Sequence, residues 1–444
     1  MQIRQFIAGA LVVGVTGTAL SQAVNTDESS HLSGNEYTIN NAHISSETRS
    51  ALRLENAVSR TLSQNPELYQ YQFREQGLAA QRQVGALSPA IQLDIEVENV
   101  GGSGDFRALD SAETTIALSS VIELGDKARS RVAVVDARSD RLNYERQAAT
   151  LDVLGELATL YIRALSTQEN IALAEETAAL SERMRNTVEE RVSRGAAPEA
   201  ELMRADAALS RATIQLQSLK ASFERQKVGL SRFWGDMNPD FGELTGDLMT
   251  FDRASDFSNL FQRAKQSPAI AIFASEARLK EAQVELAQAQ SRVDVGWQLG
   301  VRRFEETSDT AFTAGVSIPL FSGKRNQGAV ASALAERNAV EYQEMDALLQ
   351  LHNQLFTAFS QRQENKAAVE QFDAQVLPAL ERALDLTEQA YESGRYRYQD
   401  WIVAQEELLA AKQQRIEAAT AAQLSQVLIE QLISEPLQAN GLLN

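Results

Sequence analysis

Residues 91–100 read IQLDIEVENV, a run in which apolar and polar side chains alternate without interruption up to residue 98. The apolar positions are Ile91, Leu93, Ile95 and Val97, and the polar positions are Gln92, Asp94, Glu96 and Glu98. Alternation with a period of two is typical of a β-strand that has one apolar and one polar face. The architecture therefore depends on whether a protein core or membrane lipid covers the apolar face.

The composition limits the classes of protein to consider. The chain has 444 residues, of which 44% are hydrophobic and 23% are charged, enough for a large folded core. Its 60 acidic and 42 basic residues give a formal net charge of −18, which argues against a nucleic-acid partner and suits cationic or neutral solutes. The chain contains no cysteine, so we expect no disulfide.

The first 23 residues have the pattern of a secretory signal peptide. Arg4 supplies the positive start, residues 6–15 supply a short apolar run, and Ser21-Gln22-Ala23 supplies a small-residue cleavage site. The alternative, a buried N-terminal helix, is disfavoured because residues 24–50 are polar and rich in Ser and Asn. We therefore expect an exported protein with a flexible segment over residues 24–50.

The sequence repeats one pattern of landmarks. Three pairs keep almost the same spacing: Pro66 and Pro268 (268 − 66 = 202), Lys127 and Lys324 (324 − 127 = 197), and Gly195 and Gly394 (394 − 195 = 199). This spacing predicts a duplicated unit of about 200 residues, far longer than a solenoid repeat. We expect a first repeat over residues 51–234, a linker over 235–266, a second repeat over 267–434 and a tail over 435–444.

Each repeat contains two segments with the alternation of a strand. They cover residues 90–100 and 112–124 in the first repeat, and residues 293–304 and 310–320 in the second. All four are long enough for the roughly 9–11 residues that a tilted strand needs to cross a bilayer.

A very long helix and a return helix follow the strands of each repeat. Residues 127–194 contain no proline and one glycine, so a continuous helix there would be about 100 Å long. Apolar residues at steps of seven form a seam for neighbouring helices: Leu151, Ala158, Leu165, Ala172 and Ala179. Residues 326–393 repeat this design with a bend expected at Pro378. The return helices are predicted over residues 198–234 and 398–433, which makes two helical hairpins.

The strand pattern alone leaves two interpretations open. A soluble four-stranded sheet packed on helices also alternates apolar and polar positions. A membrane barrel needs at least eight strands, so a chain with four would have to pool strands with other copies. Small and polar residues on the second face suit a water-filled lumen, and the long helices favour the membrane interpretation. The lipid-facing positions would be Ile91, Leu93, Ile95, Val97, Val295, Trp297, Leu299, Val316 and Ile318.

The duplicated halves, the stretch GVSIPLFSGKR (315–325) and the glycine-centred tips together resemble the TolC family of outer-membrane channels. The resemblance implies a mainly α fold with a β-barrel portion. Long α-hairpins would form a periplasmic α-barrel, and each protomer would add four strands to a shared twelve-stranded barrel. It further implies an equatorial girdle built from the termini and the linker. The protein would be a homotrimer in the outer membrane of a Gram-negative bacterium, in contact with its lipid.

The resemblance also implies function and partners. The chain would be a passive exit duct with no enzymatic activity and no cofactor. Its partners would be a periplasmic membrane-fusion adaptor and an inner-membrane transporter of the resistance-nodulation-division type. ENVGG (98–102) and IELGDKARSR (122–131) resemble the branch that serves heavy-metal resistance, although Asp126 stands where that branch has a glycine. Drug efflux and type I protein secretion are the alternative uses of such a duct.

The hairpin tips match the family's periplasmic entrance residue by residue. The resemblance assigns the entrance to Glu201, Asp400, Tyr391, Arg395 and Arg397, where acidic residues would attract cations. It assigns adaptor docking to Gly195, Ala196, Ala197, Gly394 and Tyr396. We also expect Tyr398 and Trp401 to be exposed there, as adaptor contacts or as packing between protomers. Solvated helix-start carboxylates are the alternative explanation for Glu201 and Asp400.

Two other classes of protein fit less well. An enzyme or a metal site is not indicated, because His31, His43 and His352 are the three histidines and none has a recognisable partner spacing. SGKR at 322–325 is not a phosphate loop, since Ile318 occupies the position of its first glycine. A soluble periplasmic coiled-coil adaptor or scaffold would explain the heptads but not four membrane-length strands.

Overall fold

The computed structural model describes residues 51–251, 255–320 and 322–435. The predicted signal peptide, the polar segment over 24–50 and the tail beyond Glu435 lie outside these residues. Within the described ranges, no helix combines the length and the hydropathy needed to cross a membrane.

Each repeat contributes helices and strands in the same order. The first repeat contains β1 (Leu52–Arg53), α1 (Leu54–Gln64), α2 (Pro66–Ala86), β2 (Gln92–Glu98), β3 (Glu113–Ile122), α3 (Lys127–Ser193) and α4 (Glu199–Ser231). The linker contains β4 (Leu244–Thr245) and α5 (Phe257–Ala264). The second repeat contains α6 (Pro268–Gln290), β5 (Val295–Phe304), β6 (Thr310–Ser317), α7 (Ser322–Gln371), α8 (Leu377–Glu392) and α9 (Tyr398–Leu432).

One antiparallel sheet joins the strand pairs of both repeats in the order β2-β3-β5-β6. Its register places apolar residues opposite one another across all four strands: Ile95 opposite Ile116, Ile116 opposite Val301, and Val301 opposite Phe312. Paired residues of a sheet share a face, so this register builds one continuous apolar face. The other face carries polar and small residues, for example Asp94, Ala117, Gly300 and Thr313.

The sequence ELGDKARSR fixes the junction between the sheet and the long helix α3. Gly125 and Asp126 both have positive φ, at 86° and 59°, so this turn uses the left-handed conformation that glycine adopts most easily and aspartate tolerates. The Lys127 ammonium donates to Asp294 Oδ2 (2.6 Å) and to the Arg292 carbonyl (2.9 Å). Arg131 donates to both oxygens of Glu123, at 2.6 and 2.9 Å. Charged pairs therefore tie the helix start to the strand ends.

The helices form a single layer whose order changes along α3. Near the sheet the order is α2-α3-α6-α7, and towards the hairpin tips it is α4-α3-α9-α8. In both halves and in the sheet, the first repeat provides one outer element and the second repeat provides the other. Among the described residues, each outer element therefore has one side without a neighbour from its own chain.

The largest apolar core lies midway along α3, where the linker crosses the layer. β1 pairs in parallel with β4, with Leu52 opposite Leu244. The Tyr161 hydroxyl lies 2.8 Å from the Leu52 carbonyl and 2.6 Å from the Thr245 carbonyl, and burial raises the pKa of Tyr161. Asn65 caps α2, accepting from the Glu67 and Leu68 amides.

Two predictions concern the long helices: the heptad seam of α3 and the bend at Pro378. The heptad seam is correct at Ala158 and Leu165, which are fully buried, but wrong at Ala172 and Ala179, which are exposed. The buried face of α3 changes along the helix because its neighbours change. The linker elements cover α3 at the middle, whereas α4 and α9 cover it towards the tip. In the second repeat a π-helical turn, Phe372–Val376, precedes Pro378, because proline has no N–H for the regular helical ladder.

Candidate functional site

The two hairpin tips have the same backbone structure. Gly195 and Gly394 both have positive φ, at 73° and 75°. The next residue's amide bonds back five residues in each case, from Ala196 to the Arg191 carbonyl and from Arg395 to the Ala390 carbonyl, both at 2.8 Å. This is the Schellman arrangement, which satisfies the last carbonyls of a helix. Glycine is needed here because the residue after the helix takes the left-handed conformation.

The residues before the return helices make the two tips chemically different. Asp400 accepts from the Arg397 amide at 3.0 Å and so caps its own helix, α9. The matching residue before α4 is Pro198, which has no N–H to donate. Glu201 therefore cannot cap in the same way. Its carboxylate instead accepts from the Tyr391 hydroxyl at 3.2 Å and links the first hairpin to the second.

Tyr391 lies in an apolar cluster at the tip, with 2% of its surface exposed. Its ring centroid is 5.1 Å from that of Trp401 and 6.2 Å from that of Tyr398. Burial, with the neighbouring Glu201 carboxylate, raises the pKa of Tyr391 to about 12. The Tyr391 hydroxyl is therefore a neutral donor to Glu201 at any physiological pH.

Arg191 is a site residue that the sequence reasoning missed. Its guanidinium lies 4.5 Å from the Tyr391 ring centroid and donates to the carbonyls of Tyr391 and Glu392, the latter at 3.1 Å. It comes from the last turn of α3, so it joins the C-terminal ends of both long helices at the tips. A basic residue in the last helical turn was the available sequence signal.

The other predicted tip residues lie near the two turns, and the Ala196 carbonyl lies 3.5 Å from the Arg191 guanidinium. Gly195, Ala196, Gly394 and Tyr396 are exposed, and Ala197 is half-buried. Arg395 donates to Ser393 Oγ at 2.9 Å, and Arg397 lies 3.7 Å from Asp400. The structure thus brings Glu201 together with Tyr391, and Arg397 with Asp400.

The expectation that Tyr398 and Trp401 are exposed is wrong. Both side chains are buried in the tip cluster, at 2% and 0% exposure. The first turn of α9 packs inward against Met184 and Val188 of α3, which gives these rings a protein environment. They hold the two hairpins together within one chain.

The sheet presents the predicted lipid-facing side chains largely uncovered. Ile91, Leu93, Ile95, Val97, Leu299, Val316 and Ile318 are exposed, whereas Val295 and Trp297 are half-buried. On the opposite face, Arg302 pairs with Glu98 (3.0 Å) and Glu113 (2.9 Å), while Ser119 donates to Asp94 (2.6 Å). In the described part of the chain, no group of three His, Asp or Glu side chains is arranged to hold a metal ion.

The comparisons with known proteins agree with this architecture. The sequence profile described as outer membrane efflux protein matches residues 57–236 and 260–435. The cobalt-zinc-cadmium resistance protein CzcC of Cupriavidus metallidurans is 24% identical over 299 residues, which are 67% of this chain and 72% of CzcC. The nickel and cobalt resistance protein CnrC of the same bacterium is 26% identical, over 61% of this chain and 63% of CnrC.

A solved structure shows that the fold is shared at low sequence identity. The outer-membrane channel OprN superposes with a TM-score of 0.70 and 19% identity, over 86% of this chain and 90% of OprN. The predicted fold class, a mainly α chain with long hairpins and four strands, is therefore confirmed.

Proposed function

Because this chain belongs to the outer membrane efflux protein family, we propose that it is the exit duct of a tripartite pump that exports heavy-metal cations. Family membership makes the protein an outer-membrane channel component and not an enzyme. The observation that carries the proposal is the sheet. One of its faces is apolar and exposed, and it continues directly into α3, which is about 100 Å long.

The outer elements of the chain support the proposed homotrimer. β2 and β6 are the outer strands, and unpaired backbone groups at such edges cost several kcal/mol each in lipid. β6 runs antiparallel to β2, so β6 of one copy could pair with β2 of the next as an antiparallel neighbour. Contact between different edges gives a ring when the rotation between copies closes, and a closed ring leaves no strand edge exposed to lipid. Three copies would provide the twelve strands that the family resemblance implies.

Heavy-metal cations are the proposed substrate class. CzcC and CnrC are named for resistance to cobalt, zinc, cadmium and nickel. The polar face of the sheet, which would line the lumen, carries the carboxylates of Asp94, Glu96, Glu98 and Glu113, and Arg302 pairs with two of them. A lumen with this excess of carboxylates would favour cations.

The tips would form the periplasmic entrance and the adaptor-docking surface. The Glu201–Tyr391 bond crosses from one hairpin to the other, so it would have to break if the hairpins move apart. The exposed Gly195, Ala196, Gly394 and Tyr396 would contact a membrane-fusion adaptor that connects the duct to an inner-membrane transporter of the resistance-nodulation-division type.

Deletion of the gene tests the substrate class. The strain should become sensitive to cobalt, zinc, cadmium or nickel and recover with the intact gene, while its sensitivity to common drugs and its secreted proteins stay unchanged. Unchanged metal tolerance together with new drug sensitivity would support drug efflux instead. Loss of a secreted protein would support type I secretion.

A further inference from the structure

Two exposed apolar stripes lie on the outer helices of the layer. The stripe on α2 contains Tyr69 (54% exposed), Phe73 (67%) and Val84 (67%). The stripe on α7 contains Tyr342 (72%), Met345 (55%) and Leu349 (66%). Each set lies on one face of its helix, with spacings of three, four or eleven residues. Large apolar side chains exposed in such a row mark a contact surface.

Each stripe points away from the helix of its own chain that its helix packs against, which is α3 for α2 and α6 for α7. Phe73 is nine residues from Arg82, which pairs with Asp136 of α3 at 2.7 Å. Met345 is nine residues from Glu336, which pairs with Lys280 of α6 at 2.9 Å. Nine residues are two and a half helical turns, so each stripe faces opposite to its helix's own neighbour.

The duplication of the chain supplies a register for contact between these stripes. Within one chain, Arg141 of α3 pairs with Glu276 of α6 at 3.0 Å, where the first repeat meets the second. α7 and α2 are the counterparts of α3 and α6 in the other repeat. By the spacing of the prolines, the counterpart of residue 276 in the first repeat is residue 74 (276 − 202 = 74). By the other two landmark spacings, the counterpart of residue 141 in the second repeat lies at 338–340 (141 + 197 = 338; 141 + 199 = 340).

From this register we infer that α7 of one copy receives α2 of the next, with Phe73 against Tyr342 and Tyr69 against Met345. The helices run antiparallel, because α2 leads into the sheet and α7 leads out of it. If residue 74 lies opposite 338–340, residue 73 lies opposite 339–341 and residue 69 opposite 343–345. Tyr342 and Met345 are the stripe residues at or next to those positions. The inference rests on the proposed ring of copies and adds the residues that meet in it.

Engineered cysteines test the register directly, because the natural chain has none. The full-length double variants F73C/Y342C and Y69C/M345C should form disulfides between copies in native outer membranes. Reducing conditions should then return the linked trimers and dimers to single chains on a denaturing gel. The matched control is F73C/L349C, because Leu349 lies about 10.5 Å further along α7. A disulfide needs Cα atoms within roughly 7 Å.

The outcomes separate the register from the function. Linkage in at least one matched pair, and little in the control or in any single-cysteine variant, supports the register. A native trimer in which neither matched pair links, or in which the control links as well as they do, overturns it while leaving the channel proposal intact. A chain that sediments as a monomer before any oxidation would overturn the ring, and the register with it.

Discussion

At the scale of single residues, the tip shows how one missing N–H redirects a carboxylate. Asp400 and Glu201 occupy matching positions, six residues after Gly394 and Gly195. Asp400 caps α9, but Pro198 offers Glu201 no amide hydrogen, so Glu201 bonds to Tyr391 instead. The matching carboxylates of the duplicated motif thus make different contacts, because Pro198 stands where the second repeat has Arg397.

The pKa of Tyr391 gives a prediction about alkaline pH. Burial and Glu201 raise it from 10.0 to about 12, so the folded state holds this proton more tightly than the unfolded state does. The resulting stabilisation is complete below pH 10 and is lost as the pH rises through about 12. Burial also raises the pKa values of Tyr161 and Tyr398, so an absorbance titration of tyrosinate should show several late-titrating tyrosines, and the Tyr391→Phe variant should lack one late step. A Tyr396→Phe control should keep it, since Tyr396 is exposed. Titration of Tyr391 near 10 would contradict the buried placement.

Gly300 gives a prediction about packing on the polar face of the sheet. A Cβ at this position would lie 2.7 Å from Ala117 Cβ and 2.8 Å from the Ile116 carbonyl. Both are too close, so Gly300→Ala should destabilise the protein by about 1–3 kcal/mol. Gly315→Ala is the matched control on the same face, where the nearest atom would be 3.8 Å away. Thermal unfolding of the detergent-purified variants measures the difference, and equal midpoints would count against the register of β3 and β5.

At the scale of helices and strands, the sequence predicted features that depend on local patterns. It did not predict features that depend on contacts between distant segments. Strict alternation located a strand that the structure places at Gln92–Glu98, and a glycine marked the tip turn at Gly195. Both depend on interactions within a few residues. The β1–β4 pair and the burial of Trp401 depend on segments far apart in sequence, so no local pattern reports them. Asp126 stands where the resembling branch has a glycine, and its φ of 59° shows that this position takes the left-handed conformation that glycine adopts most easily.

The junction between the sheet and α3 gives a prediction at this scale. Lys127 has 8% of its side chain exposed and neutralises Asp294, which is itself 30% exposed. Lys127→Met would leave that carboxylate unpaired beside the strand end, at a cost of about 2 kcal/mol. Arg129→Met is the control, because Arg129 lies exposed on the same turn of α3. Chemical denaturation of both variants tests this. A loss no greater than that of the control would show that the pair does not secure the junction.

At the scale of the whole molecule, three separate features of the chain require a neighbour. The sheet ends in two outer strands, the helical layer ends in two apolar stripes, and one sheet face is apolar and exposed. In each layer the first repeat forms one edge and the second repeat the other. The proposed ring of identical copies would satisfy the strands and the helices at once, and lipid would then cover the outer face.

The two faces of the sheet give the prediction that tests the assembled channel in its membrane. Ile95 and Glu96 are neighbours on β2, so their side chains point to opposite faces. In a chain without cysteine, Ile95→Cys should react with a lipid-soluble thiol reagent and resist a charged one added to the native trimer in membranes. Glu96→Cys should show the reverse preference, because its side chain would face the water-filled lumen. Reaction of Ile95→Cys with the charged reagent as readily as Glu96→Cys would mean that water covers both faces. The sheet would then belong to a soluble domain, and the cost of unpaired strand edges in lipid would no longer argue for a ring of strands.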